Sequence, residues 1–158
     1  MSIFSNSFLV LAASFLVTGV AAQTVQAAED PANLIKYRQS IMKAIGGHMG
    51  ALAGVAKGEV SFTDEVGGHA HAINQMSKGL ARLFPKGSGS EAGETRALPV
   101  IWEKWSDFEA AVDRLKSESA KLEEVAKSGD REAIATQVGS LGKNGCGGCH
   151  TTFRKKED

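Results

Sequence analysis

The chain has little cysteine, little proline and no excess of either charge. Each of these shortages narrows the kinds of site, partner or fold that the chain can have. It holds two cysteines and three prolines, and its 18 Lys and Arg balance its 18 Asp and Glu. The cysteines have no second Cys or His pair at ligand spacing, which leaves too few ligands for a structural zinc site. A formally neutral chain argues against nucleic acid as a partner. The few prolines, together with apolar residues that recur at helical spacing, predict an all-α fold.

Both cysteines fall in one motif near the C-terminus, Cys146-Gly147-Gly148-Cys149-His150. On a helix Cys146, Cys149 and His150 point the same way, so two thiols can reach the vinyl groups of one porphyrin while the imidazole reaches the iron. A disulfide or dithiol redox pair is the alternative, but a thioredoxin-like motif opens a helix after a strand, and nothing in the chain reads as a strand. The motif predicts one covalently bound haem c per chain.

Residues 1–28 have the pattern of a signal peptide. An apolar run from Phe8 to Val17 precedes small residues, and cleavage after Ala27 or Ala28 fits. No Lys or Arg precedes the run, so a retained membrane anchor is the alternative. The run is short for that role, because a membrane span needs about 20 residues. We predict a periplasmic protein with no membrane insertion after cleavage, a location that also suits haem attachment.

Residues 29–158 are predicted to form one domain of four amphipathic helices. The predicted helices run from Pro31 to about Gly58, from Thr63 or Asp64 to before Pro85, from Pro99 to Gly129, and from Asp130 through the haem motif. Residues 86–94, rich in Gly and Ser, are predicted to be a flexible loop. Apolar residues of the third helix alternate in steps of four and three, the spacing of a packing seam. The pattern predicts an antiparallel up-down-up-down four-helix bundle, with its cofactor between facing helices.

Four glycines interrupt the first predicted helix, at Gly46, Gly47, Gly50 and Gly54. Each one weakens a helix by about 1 kcal/mol relative to alanine. We expect the close approach of another helix or of a porphyrin to compensate for this cost.

With its haem motif at the end of the last helix, the chain resembles the class II cytochromes c, the cytochrome c′ family. The resemblance covers residues 29–158 and is carried by residues 36–40 (Lys-Tyr-Arg-Gln-Ser), 99–102 (Pro-Val-Ile-Trp) and 146–156. It implies a four-helix bundle in which the two cysteines form thioethers and the histidine of the motif is the proximal iron ligand.

The resemblance extends to two basic residues and one methionine. Arg38 looks like the family arginine that pairs with a haem propionate. Arg154, one turn beyond His150, matches a basic residue near the proximal face, although a solvated charge favoured by the helix dipole is an equal alternative.

Met42, four residues after Arg38, decides which kind of member the chain resembles. Many members have an apolar residue there that cannot bind iron, which leaves the haem five-coordinate and high-spin. A methionine resembles the low-spin members, whose thioether is the sixth ligand. Without the resemblance, a methionine on an apolar helix face is usually core filler. We predict Met42 and His150 as the metal ligands, with Met49 as the second choice for the methionine.

The predicted function is that of a periplasmic c-type cytochrome, not an enzyme. A His/Met-ligated haem would carry single electrons between redox partner proteins. The alternative is a five-coordinate, high-spin cytochrome c′ that binds nitric oxide or carbon monoxide. The resemblance also admits a homodimer formed through the first two helices.

The remaining histidines and the tryptophans are assigned no role at the haem. His69 and His71 are two residues apart and face different sides of a helix, so they make no metal pair. We expect exposed or satisfied polar positions for them and for His48, and packing in or beside the core for Trp102 and Trp105.

Overall fold

The protein is described by a computed structural model for residues 29–156. The predicted signal peptide, residues 1–28, lies outside the described residues. Within residues 29–156 the regular structure is helical, apart from an isolated antiparallel bridge between Ala97 and Arg154. None of the helices described is both long enough and apolar enough to cross a membrane. The predicted all-α class is confirmed.

Six α-helices make up the described part of the chain, and the last two are joined by a π-helical segment. The helices are α1 (Pro31–Ala56), α2 (Val66–Ser77), α3 (Val100–Glu103), α4 (Trp105–Ala126), α5 (Arg131–Ser140) and α6 (Gly148–Phe153), with the π-helical segment at Leu141–Gly147. Short 3₁₀ turns occupy Thr63–Glu65 and Ala81–Leu83.

The ends of the long helices follow from their capping residues. Asp30 Oδ1 accepts a hydrogen bond from the Ala32 N–H at 3.0 Å, and Pro31 occupies the first turn of α1, where its missing N–H costs nothing. Asp130 Oδ1 caps α5 in the same way by accepting from the N–H groups of Glu132 and Ala133. Gly58 (φ +75°) and Gly129 (φ +66°) follow α1 and α4, since glycine adopts positive φ without strain.

The four longest helices, α1, α2, α4 and α5, pack in a closed ring. α1 contacts α2 and α5, and α4 contacts the same two helices on the opposite side. Each helix therefore packs on its neighbours in chain order, as the up-down-up-down bundle requires. The core between them is apolar and includes Leu52, Ile73, Phe108, Leu122 and Ile134, each no more than 2% exposed. The predicted four-helix bundle is confirmed.

The predicted second helix is shorter in the structure than its apolar pattern suggested. α2 ends at Ser77 instead of continuing to Leu83. The buried Ser77 hydroxyl donates to the Asn74 carbonyl at 2.7 Å, a local bond that competes with the helix ladder. Gly79 follows directly and lowers the helix propensity further.

The predicted third helix is interrupted once. Lys104 (φ −119°, ψ 53°) separates the single turn α3 from α4. Most of the predicted seam still faces the core, because Ile101, Phe108, Val112, Leu115, Ser119 and Leu122 are all buried.

Residues 86–94, predicted to be a flexible loop, are tied to the bundle. Ser88 is fully buried and bonds the Arg38 guanidinium. Gln39 Nε2 donates to the Glu94 carbonyl at 2.9 Å. The composition therefore predicted correctly that the segment is not helical. It did not predict that the segment is hydrogen-bonded to α1.

One of the two compensations that we expected for the glycines of α1, the close approach of another helix, is absent from the described residues. A Cβ added at Gly46, Gly47 or Gly50 would meet no atom within 4 Å among the described residues, and one at Gly54 would only reach ordinary contact with Val60 at 3.7 Å. Within residues 29–156, no second helix therefore approaches these four glycine positions closely.

Candidate functional site

One cavity of about 310 Å³ lies at the end of the bundle where the haem motif is placed. Its walls are mostly apolar, and Leu80, Phe84, Ile101, Phe108 and Phe153 form the inner part. Three of these rings pack edge to face, since Phe108 lies 4.9 Å from Phe84 and 5.4 Å from Phe153 between centroids. A mostly apolar cavity of this size is the usual form of a cofactor site.

The structure brings four of the predicted site residues to this cavity. α1 contributes Arg38 and Met42, and α6 contributes Cys149 and His150. Cys146 does not line the cavity; it is half-buried in the π-helical segment and packs against the core. Both cysteines are free thiols.

The π-helical segment determines how the motif meets the bundle. The sequence predicted an ordinary helix through the motif, but residues 141–147 are wound more widely, a feature that is frequent at functional sites. Gly145 makes this possible, because it is buried and a Cβ there would stand 3.2 Å from Leu115 Cδ1 on α4. Thr151 Oγ1 donates to the Gly147 carbonyl at 2.8 Å and closes the junction with α6.

Burial and nearby cations set the protonation of the motif. Burial lowers the pKa of His150, and the positive charges of Arg154 and Arg96 lower it further. The imidazole is therefore held neutral at pH 7, and the neutral form is the one that binds metals. Burial raises the pKa of the Cys149 thiol to about 11, against the opposing effect of the Arg114 charge, and burial also raises the pKa of Cys146.

Arg38 is a buried cation whose described hydrogen-bond partners are uncharged. Its Nη1 donates to Ser88 Oγ at 3.0 Å and its Nη2 to Thr95 Oγ1 at 2.7 Å. Its guanidinium carbon lies 4.7 Å from the centre of the Phe84 ring, in cation–π contact. Burial lowers the pKa of Arg38, with the Glu91 charge opposing the shift. This charge on the cavity wall fits an anionic group of a bound cofactor.

Sequence reasoning missed four polar residues that shape the site: Ser88, Thr95, Arg96 and Arg114. Arg96 lines the cavity and donates from Nε and Nη2 to the Lys155 carbonyl. Lys155 N–H donates in turn to the Arg96 carbonyl at 2.8 Å, so the loop before α3 is paired with the chain just beyond the motif. These residues are far from the motif in sequence, and no spacing pattern links them to it.

The two methionines considered as ligands have different positions. Met42 is half-buried, packs against the core and lines the cavity. Met49 does not line it, and its methyl group faces the π-helical segment near Gly142. Arg154 also lines the cavity, although its side chain is largely exposed.

Comparison with known proteins gives one consistent family. The sequence profile described as Cytochrome C' matches residues 33–154. A cytochrome c′ from Pararhodospirillum photometricum is 34% identical over 125 residues, which cover 79% of this chain and 98% of the relative. A cytochrome c-556 from Agrobacterium tumefaciens is 37% identical and covers 78% of this chain and 98% of its own length.

Solved structures agree with the sequence comparison. The crystal structure of cytochrome c′ from Rubrivivax gelatinosus matches with a TM-score of 0.73 and 30% identity, over 80% of this chain and 98% of that one. A nitric oxide complex of a mutant cytochrome c prime from Alcaligenes xylosoxidans matches with a TM-score of 0.71 and 25% identity, again over 80% and 98%. The predicted cofactor, a covalently bound haem c, is confirmed by the family.

The predicted function of a His/Met-ligated electron carrier is wrong. The relatives include proteins named cytochrome c′, and one matching structure holds nitric oxide, which agrees with the alternative prediction of a gas-binding cytochrome c′. The position of Met42 is compatible with the alternative interpretation as core filler, since its side chain packs against the core and lines the cavity.

Proposed function

Because the chain belongs to the cytochrome c′ family, we propose that it is a periplasmic haem protein whose open distal position binds nitric oxide or carbon monoxide. The observation that carries the proposal is a mostly apolar cavity lined by both His150 and α1. The apolar part of its wall offers a water molecule no hydrogen-bond partner, whereas a small uncharged gas needs none.

Each predicted site residue has a role in this proposal. Cys146 and Cys149 hold the haem through thioether bonds, and His150 is its proximal ligand. Arg38 pairs with a propionate, which would give its buried charge the anionic partner that Ser88 and Thr95 do not supply. The residues present fit haem c, since the free thiol of Cys149, a neutral imidazole and a buried cation line one mostly apolar cavity. The second free thiol, Cys146, lies three residues before Cys149 in the same motif.

Met42 is proposed to form part of the distal wall instead of binding the iron. Its thioether is on α1, one turn after Arg38, and lines the cavity with Gln39 and Lys43. The bound haem iron would supply the coordination position for the gas. The protein's own contribution is to hold a neutral proximal imidazole, to orient the haem through Arg38 and to limit access with the Met42 side chain.

Absorption spectra test this proposal. Purified holoprotein is recorded in the oxidised and the dithionite-reduced state, with and without carbon monoxide, beside Met42→Leu. We expect a high-spin spectrum in both proteins and ready binding of carbon monoxide by the reduced forms. Met42→Leu is expected to change the rate of gas binding but not the spin state, because leucine has nearly the same volume without a sulfur ligand.

The opposite result is equally clear. A low-spin wild type that becomes high-spin in Met42→Leu would show that the thioether binds iron and would overturn the proposal. Met49→Leu is the matched control, because Met49 is on the same helix but does not line the cavity. It should leave both the spin state and the binding of gas unchanged.

A further inference from the structure

Two imidazoles meet at the contact between α1 and α2, apart from the haem cavity. His48 Nδ1 and His69 Nδ1 are 2.8 Å apart, and the ring centroids are separated by 5.1 Å at an angle of 58° between the planes. Both side chains are half-buried, and neither lines the cavity. No local pattern pairs them, because the two residues come from different helices.

The short contact requires the two rings to be different tautomers. A hydrogen bond between two Nδ1 atoms needs one proton, so one ring donates from Nδ1 and the other accepts there with its proton on Nε2. If the donor's proton moves from Nδ1 to Nε2, both Nδ1 lone pairs become free while both rings stay neutral. Two Nδ1 lone pairs on neighbouring helices are then 2.8 Å apart, and neutral imidazole is the commonest metal ligand in proteins.

The spacing of the two nitrogens matches one edge of a metal coordination sphere. Nitrogens each about 2.0–2.1 Å from one ion lie about 2.9 Å apart at a right angle and about 3.3 Å apart at the tetrahedral angle. The observed 2.8 Å is close to the right-angle value. Right-angle geometry is typical of Cu²⁺ and Ni²⁺, and Cu²⁺ binds nitrogen ligands most tightly among the divalent first-row ions.

We propose that His48 and His69 together bind one divalent transition metal ion, Cu²⁺ above the others, at the contact between α1 and α2. The structure shows no group of three or more His, Cys, Asp or Glu able to hold a metal within residues 29–156. The other coordination positions would therefore be filled by water. Such a site exchanges its ion, unlike a structural site closed by four protein ligands.

Titration of the holoprotein with Cu²⁺ tests the proposal. Protein made without a histidine tag is titrated with copper sulfate in a buffer that does not bind metal, and heat and the electron paramagnetic resonance spectrum are recorded. We expect one Cu²⁺ per chain with nitrogen ligands. His48→Gln and His69→Gln should each weaken binding by at least about tenfold, the loss typical of removing even an outer-shell partner of a metal ligand.

His71→Gln is the matched control. His71 is on the same helix as His69 but is exposed and paired with Glu123 Oε1 at 3.1 Å, so its loss should leave Cu²⁺ binding unchanged. The haem absorption spectrum of each variant reports whether it has folded. A second readout is thermal unfolding: Cu²⁺ should raise the melting temperature of the wild type and of His71→Gln, but not of the other two variants.

Two results would contradict the proposal. One is the absence of Cu²⁺ binding by the wild type. The other is binding of equal strength in the wild type, His48→Gln and His69→Gln, which would place the ion elsewhere, for example at the amino terminus. The haem spectra do not depend on this result, so failure here is distinguishable from failure of the proposed gas binding.

Discussion

Arg38 is the residue whose surroundings say most about the site. A guanidinium that is 3% exposed costs free energy to bury, and here hydroxyls and an aromatic face offset that cost. Its two nitrogen donors reach Ser88 and Thr95, which belong to the long connection between α2 and α3. Arg38 therefore places a positive charge on the cavity wall and also holds the neighbouring loop in place.

Replacing Arg38 by methionine should destabilise the holoprotein by about 1.5–3 kcal/mol, the range for hydrogen bonds to a charged group. Relief of the buried charge offsets part of the loss, so the lower half of this range is expected. Denaturant unfolding followed by circular dichroism measures the effect.

Arg82→Met is the control for Arg38→Met. Arg82 is exposed on a 3₁₀ turn, and we expect its replacement to change the free energy of unfolding by no more than about 0.5 kcal/mol. Equal losses in the two variants would mean that the bonds of Arg38 do not stabilise the fold.

Single residues near the motif could be predicted from the sequence only where the chemistry is local. The spacing of Cys146, Cys149 and His150 identified the haem motif without any knowledge of the fold. The ligand role of Met42 rested on a resemblance, because a methionine that lines a cavity and one that binds iron have the same sequence pattern. His48 and His69 illustrate the opposite limit, since each looks like an isolated polar residue until the helices are packed.

At the scale of elements, one polar bridge joins α4 to α5. Gln137 Nε2 donates to Glu118 Oε2 at 2.7 Å and to the Glu118 carbonyl at 3.2 Å. The bond from Gln137, followed by that from Lys121 at 3.1 Å, lowers the pKa of Glu118 below its ordinary value of 4.5. The carboxylate is thus more favourable in the folded chain than in the unfolded one.

This lowered pKa predicts how Glu118→Gln depends on pH. The stabilisation by the carboxylate is complete above the unfolded pKa of about 4.5 and is lost as the pH falls through the lower folded pKa. The variant should therefore be less stable than the wild type at neutral pH, and the difference should shrink on acidification. Denaturant unfolding at a series of pH values measures it.

Glu109→Gln, on the exposed face of α4, is the matched control for the pH series. A difference between Glu118→Gln and the wild type that stays constant from neutral to acid pH would contradict the prediction.

The ends and faces of most elements could be predicted from the sequence, but their irregularities could not. Asp30, Asp130, Gly58 and Gly129 act through backbone groups a few residues away, so local patterns identify them. The π-helical segment depends on Gly145 meeting Leu115 of another helix, which no local pattern contains.

At the scale of the whole molecule, residues 29–156 form one helical bundle whose proposed cofactor site is at one end. The predicted homodimer stays a prediction. Tyr37, Val60 and Phe62 are the exposed large apolar side chains of residues 29–156 that a partner would cover. Sedimentation of the holoprotein would detect a dimer.

The predicted signal cleavage can be connected to the stability of the described domain. Cleavage after Ala27 or Ala28 leaves Asp30 in place, and Asp30 caps α1 through the Ala32 N–H. Cleavage after Asp30 would remove this cap, which is worth about 1 kcal/mol. Both predicted processing sites, after Ala27 and after Ala28, therefore keep the residue that caps the first helix.

Mass spectrometry of the exported holoprotein should find Ala28 or Glu29 as the first residue, with the haem covalently attached. Asp30→Ala should leave processing unchanged while lowering the free energy of unfolding by about 1 kcal/mol, because the α1 N–H groups lose their acceptor. Asp64→Ala is the control, since Asp64 is exposed in a 3₁₀ turn that has no side-chain cap. A membrane-bound protein that keeps residues 1–28 would contradict the cleavage, and it would leave the retained anchor as the correct interpretation of the apolar run.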